Sequence, residues 1–208
     1  MKILFIDTSG KDVSIATYKD NKILSLISQE QFNKHSIYTI PYIKKSLDDS
    51  HIKEQEIEKI IVVSGPGSFT GIRIGLTIAK VYSYLLNINV VTISSLKALA
   101  LSKQNCEVIA IIDARNDNYY VGAYNSRYEN LIEEKFMNKQ ELLSLIKKYP
   151  KAILVSNDNF NIDSFEAKKI SLDIENIINY YKNDPGVNNF LIKTNYLKKP
   201  QAEENKNQ

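Results

Sequence analysis

The apolar run Ile60–Ser64 feeds directly into Gly65-Pro66-Gly67-Ser68-Phe69-Thr70-Gly71, and an uninterrupted helical pattern then continues through about Leu86. Five mostly apolar residues closed by a glycine-rich turn make a buried strand, and the periodicity that follows is that of a long helix. A second short apolar run, Val90–Ile93, comes next, so the helix is a crossover between two parallel strands. This strand, glycine loop and helix exclude an all-α or all-β chain. Gly65 and Gly67 around Pro66 permit a sharp turn, and Gly71 lets the backbone approach a neighbour closely. The helix start could hold an anion. Neither the GxxxxGK[ST] spacing of a P-loop nor GxGxxG is present, so a structural turn and an anion or partner contact both remain open.

Ahead of this unit the chain reads as a meander of three strands, Lys2–Ile6, Val13–Tyr18 and Lys22–Ser28, with Asp20-Asn21 as a hairpin turn. A helix over Ser36–Leu47 follows, with Ile37, Ile40, Ile43 and Leu47 on one stripe and Pro41 early enough to bend it only mildly. Ser94 or Ser95 can cap a helix through about Ser102. The second half opens in the same way: Val108–Ile112 ends at Asp113 as the first strand ends at Asp7, and Tyr119–Tyr124 is its hairpin partner after a turn at Arg115–Asn118. Helices over Lys139–Tyr149 and Ile174–Tyr181 flank a strand at Ala152–Val155. Phe160–Lys169 reads as short and polar, and residues 195–208 as a flexible tail.

With 43% hydrophobic and 25% charged residues among 208, the chain has the composition of a folded soluble protein. A net charge of +3, set against 27 basic and 24 acidic groups, supplies no uniform field for binding nucleic acid unaided. One cysteine rules out an internal disulfide, and two histidines without CxxC spacing provide no zinc framework. No stretch approaches the roughly 18 apolar residues of a membrane span, and Met1 is followed by a strand rather than a leader, so a cytoplasmic protein is expected.

Three groups of residues could carry function. Gly71, Gly75, Ala79 and Ser83 recur every four residues along the long helix, a small-residue face on which another helix can pack closely, within the chain or across a subunit boundary. Asp7-Thr8-Ser9-Gly10 follows a buried strand, where an acid and hydroxyls could meet a metal–phosphate complex or form an Asx turn. His35 and His51 lack the i, i+4 spacing of paired ligands, and Cys106 has no partner in sequence that would make it a nucleophile. No catalytic or metal-ligating set emerges.

The run from Ser64 through Leu76, with Ala79-Lys80, resembles the signature of the TsaB (YeaZ) family. Ile6-Asp7-Thr8-Ser9, Lys34-His35-Ser36, Ile112-Asp113-Ala114-Arg115 and Tyr196 through Glu203 resemble the same family in the same order. The resemblance implies an α/β chain of the actin/Hsp70/sugar-kinase fold with two lobes, each a mixed sheet with helices: residues 1–102, carrying the glycine loop and dimerisation helices, and residues 103–194. It implies a non-catalytic scaffold without cofactor, which pairs with the paralogue TsaD, and with TsaE in a larger complex. Threonylcarbamoyl would pass from threonylcarbamoyl-adenylate to N6 of the tRNA adenosine beside the anticodon, with tRNA met only through the complex. TsaD carries an HxxxH metal pair downstream of the shared loop and helix, whereas Val90–Leu101 here contains no histidine.

On the same resemblance the partner interface is expected at Ile37, Ile40, Ile43, Leu47, Gly71, Ile72, Gly75, Ala79 and Ser83, and a homodimer of the isolated chain would use that face too. Asp7, Thr8 and Ser9 stand where a vestigial nucleotide site would lie. The competing readings are a nucleotide-dependent phosphotransferase or metallopeptidase-like enzyme of the same fold, and an independent tRNA-binding module.

Overall fold

The computed structural model describes residues 1–31 and 33–197, which form two compact units. Residues 198–208, most of the expected tail, lie outside the described residues.

The first unit comprises Met1–Ser95 and Asp173–Thr194. Its strands β1 (Ile3–Asp7), β2 (Asp12–Lys19), β3 (Lys22–Glu30), β4 (Lys59–Val63) and β5 (Val90–Ile93) form one sheet in the order β3-β2-β1-β4-β5. The meander is antiparallel, with Ile6 opposite Ile15, and β4 and β5 add in parallel, as a crossover through a helix requires. Asp20 and Asn21 both take positive φ, the backbone of a two-residue hairpin turn twisted to match the strands.

Side chains alternate across this sheet. Leu4, Ile6, Val13, Ile15, Ile60 and Val62 meet α1 (His35–Asp49) and α2 (Phe69–Leu86) on one face. The opposite face is covered by a segment distant in sequence, α5 (Ile174–Tyr181), whose Ile174, Ile177 and Ile178 are buried. Tyr18 donates its hydroxyl to Asn179, the Ile23 amide donates to Glu175, and the Lys59 amine donates to the carbonyls of Lys182 and, at 2.6 and 2.5 Å respectively, of Asp184. Residues 173–194, which the sequence places in the second lobe, therefore pack with the first unit, because a sheet with two apolar faces needs a helical layer on each.

The second unit comprises Leu96–Leu172 with residues 195–197. Its strands β6 (Val108–Asp113), β7 (Asn118–Tyr124), β8 (Asn130–Asn138), β9 (Ile153–Ser156), β10 (Phe160–Ile162) and β11 (Phe165–Lys169) pair in the order β10-β11-β9-β6-β7-β8. The segment β8-β7-β6-β9 repeats the first unit's β3-β2-β1-β4, a meander plus one parallel strand. The same unit is thus built twice, the two-lobed duplication that the family resemblance implies. Helix α4 (Lys139–Lys148) covers one face with Leu142, Leu145 and Ile146, and α3 (Ser95–Leu101) covers the other with Leu96, Leu99 and Ala100. Asn195 donates to Glu134, and Leu197 packs with the α3 cluster, so the start of the expected tail is held. Among the described residues no helix is long and apolar enough to cross a membrane.

Ile177 is fully buried, so Ile177→Ala should cost about 2 to 5 kcal/mol in urea denaturation and lower hydrogen-exchange protection in β1 and β2. Unchanged protection there would mean that α5 does not support the first sheet.

Candidate functional site

The glycine loop closes on the end of β1. Ser68 caps α2 by accepting from the Gly71 amide at 3.2 Å, and the Ser68 amide donates to the Ser9 carbonyl at 2.8 Å. Thr8 donates its hydroxyl to the Gly71 carbonyl at 2.7 Å. A Cβ at Gly71 would collide with the Thr8 carbonyl, and one at Gly75 with the Thr8 hydroxyl, so glycine at both positions is what lets α2 lie against β1. The intrinsic cost of Gly75 in a helix, about 1 kcal/mol, is offset by this contact within the chain.

Asp7, Thr8 and Ser9 are all buried and serve the same junction. The Asp7 carboxylate accepts from the Ser9 amide at 2.8 Å and the Ser9 hydroxyl at 2.7 Å, while Ser95 donates to the Ser9 hydroxyl at 3.2 Å. Burial raises the Asp7 carboxyl above its ordinary value, and the two Ser9 hydrogen bonds oppose the rise. His35, at the start of α1, is buried nearby and donates to the Gly10 carbonyl at 3.1 Å. Asp7, Thr8 and Ser9, the triplet expected at a vestigial nucleotide site, form an Asx turn that ties β1 to the glycine loop. Asp113 closes a turn of its own at the end of β6, accepting from the Arg115 amide at 2.8 Å. Among the described residues no three His, Cys, Asp or Glu side chains gather as a metal-binding group.

The nine residues expected at the partner interface separate into two sets. Ile37 and Ile40 face solvent, 61% and 55% exposed. Ile43, Leu47, Gly71, Ile72, Gly75, Ala79 and Ser83 are buried against the chain's own sheet and helices. The small-residue seam is accordingly an intramolecular one. Its close neighbour is Thr8, not a second subunit.

A second stripe of α2, about a third of a turn round from the first, carries Ile74, Ile78, Val81 and Leu85, the last two 50% and 72% exposed. Phe69 and Tyr84 add to it at 42% and 69% exposed. Between α1 and α2 lies an open groove in which Ile40 faces Phe69, Ile74 and Ile78, with Arg73 and Thr77 along its edge. The sequence carried a signal for this face: the apolar positions of α2 (Ile72, Ile74, Leu76, Ile78, Val81, Leu85) extend beyond a single stripe, while Thr70, Arg73, Thr77 and Lys80 form a polar one. Exposed apolar side chains grouped in this way are the kind of surface that interaction sites are built from.

The family described as "TsaD: tRNA N6-adenosine threonylcarbamoyltransferase" matches residues 22–178. The TsaB protein of Bacillus subtilis is 31% identical over 159 residues, 74% of this chain and 69% of the relative. The chain belongs to the TsaB (YeaZ) family. TsaB of Buchnera aphidicola from Schizaphis graminum is 33% identical over 187 residues, covering 81% of this chain and 86% of the relative. In structure, YeaZ from Pseudomonas aeruginosa superposes with a TM-score of 0.77 at 20% identity, over 94% of this chain and 99% of that one. A second Pseudomonas aeruginosa structure, described as an uncharacterized protein with similarity to peptidase YEAZ, gives 0.78 at 21% identity over 95% and 99% of the two chains. The fold is therefore shared with YeaZ across almost the whole chain.

Two outcomes follow from the β1–α2 junction. Gly75→Ala should destabilise the chain by about 1 to 3 kcal/mol in urea denaturation despite its better helix propensity, and Thr8→Ala in the same chain should recover part of the loss. Native stability in Gly75→Ala would contradict the intramolecular packing. A carboxyl raised by burial contributes stability that is present at acidic pH and lost as pH rises through its folded value. Asp7→Asn, which keeps an acceptor for Ser9, should therefore gain in melting temperature on the native chain as pH rises from about 4 to about 7. A constant gap across that range would contradict the raised value.

Proposed function

We propose that this chain is a non-catalytic scaffold subunit of the machinery that makes threonylcarbamoyladenosine in tRNA, and that the exposed face of α1 and α2 docks TsaD. The complex, with TsaE, passes threonylcarbamoyl from threonylcarbamoyl-adenylate to N6 of the adenosine beside the anticodon, and tRNA meets this chain through the complex in the cytoplasm. Membership of the family whose relatives are named tRNA threonylcarbamoyladenosine biosynthesis protein supports the process. The observation that carries the docking role is the outward stripe of Ile37, Ile40, Phe69, Val81, Tyr84 and Leu85, which the chain itself leaves uncovered. Supporting a scaffold is the use made of Asp7, Thr8 and Ser9, whose polar groups are engaged in holding the glycine loop.

Mass-detected size-exclusion chromatography of this chain, its cognate TsaD and their equimolar mixture tests the reading. A one-to-one complex is expected, replacing any homodimer of this chain. Ile37→Asp with Ile40→Asp should weaken it at least about thirtyfold, since charges would be buried in an apolar contact, while leaving the fold intact. Independent elution of the two native proteins would overturn the docking role. Tight ATP binding by this chain alone, abolished in Asp7→Asn, would favour a phosphotransferase.

A further inference from the structure

On the other side of α2 from the α1 groove lies a second depression, built from α2 and residues 192–194. Three cations line it, Arg73, Lys80 and Lys193, and among the described residues no acidic side chain does. Thr77 and Thr194 contribute hydroxyls, and Leu76 and Ile192, both buried in the core of the first unit, form its apolar floor. The juxtaposition is a product of the tertiary structure. Lys193 is brought to α2 because Ile192 packs into the core, and because Val187 pairs with Val90 by two backbone hydrogen bonds at 3.0 and 2.9 Å.

The depression is continuous with the proposed docking groove, since Arg73 and Thr77 line both. The Arg73 guanidinium lies over the Phe69 ring, 3.8 Å from its centroid, a contact that joins the two depressions. Lys80 and Lys193 are exposed on either side of the floor. Like charges gathered around an apolar floor are suited to a segment of opposite charge with an apolar side of its own. Resting on the proposed docking role, we infer that this depression is the charge-reading part of the interface and that it receives an acidic segment of TsaD, with carboxylates set against the exposed Lys80 and Lys193. The apolar groove supplies area and the cationic depression supplies register and selectivity. A protein segment fits better than RNA, because the chain's net charge of only +3 provides no wider field to hold a phosphate backbone.

The test is the affinity of the full chain for TsaD at about 50 and about 300 mM salt, for the native protein, Lys80→Gln with Lys193→Gln, and Lys80→Glu with Lys193→Glu. Both lysines are exposed, so the variants should melt as the native chain does. Charge reversal is expected to weaken binding about tenfold or more at low salt, mainly by slowing association, with the glutamine variant between. The salt dependence of the native complex should shrink in both variants. Native affinity and native salt dependence in the charge-reversed chain would overturn the inference while leaving the docking role intact. So would a charge-reversed chain that binds TsaD normally but costs the assembled complex its retention of tRNA, which would make the depression a nucleic-acid contact. Failure of the native chain to bind TsaD at either salt would overturn the docking role, and this inference with it.

Discussion

The hydroxyl of Thr8 on the Gly71 carbonyl is the contact around which the first unit is organised. It joins the end of β1 to the first turn of α2 at a distance that only glycine at positions 71 and 75 allows. Seated at this depth, α2 covers the sheet with Ile72, Leu76 and Ala79 and turns a second apolar stripe outward. The same junction consumes the Asp7 and Ser9 polar groups and anchors the glycine loop through the Ser9 carbonyl. The glycine loop thereby holds the start of α2 in place. The presentation of the outer stripe depends on it.

The two units share a topology and differ in what the end of the first strand does. Asp113 is exposed and closes a turn, whereas Asp7 is buried beneath the glycine loop and carries a desolvation cost. The expense of an interior carboxylate is reduced by the two Ser9 donors, in keeping with the rule that buried acceptors must be satisfied. The first unit also draws on α5, so the chain returns to its starting sheet after the second unit has been built. That return has a further consequence. It carries Ile192 and Lys193 to the flank of α2, where apolar floor and positive charge meet.

The helices and strands with an apolar face on both sides or a full 3.6 period were legible: the meander, β4 to β6, α1, α2, α4 and α5 lie within a few residues of their expected ranges. β8, β10 and β11 were not. These strands lie at or near the sheet edges, where one face is wet, so Asn130–Asn138 and Phe160–Lys169 lack the apolar runs by which buried strands announce themselves. Of the residues expected at the partner interface, Ile37 and Ile40 are exposed, whereas the small-residue seam is buried within the chain. Spacing shows that a helix can be approached closely. It does not show whether the approaching atoms belong to the same chain.

By itself the sequence determined the fold class, the duplicated strand pattern, the glycine junction and the family, because periodicity, turn chemistry and a specific motif are local properties that survive without coordinates. The tertiary structure decided which face of α2 is spent on the core and which remains outside, that α5 belongs with the first sheet, and that Lys193 stands beside Arg73 and Lys80. Each of these depends on which residues meet across long separations in the chain. Burial is shared among all such partners at once, so no window of sequence contains it.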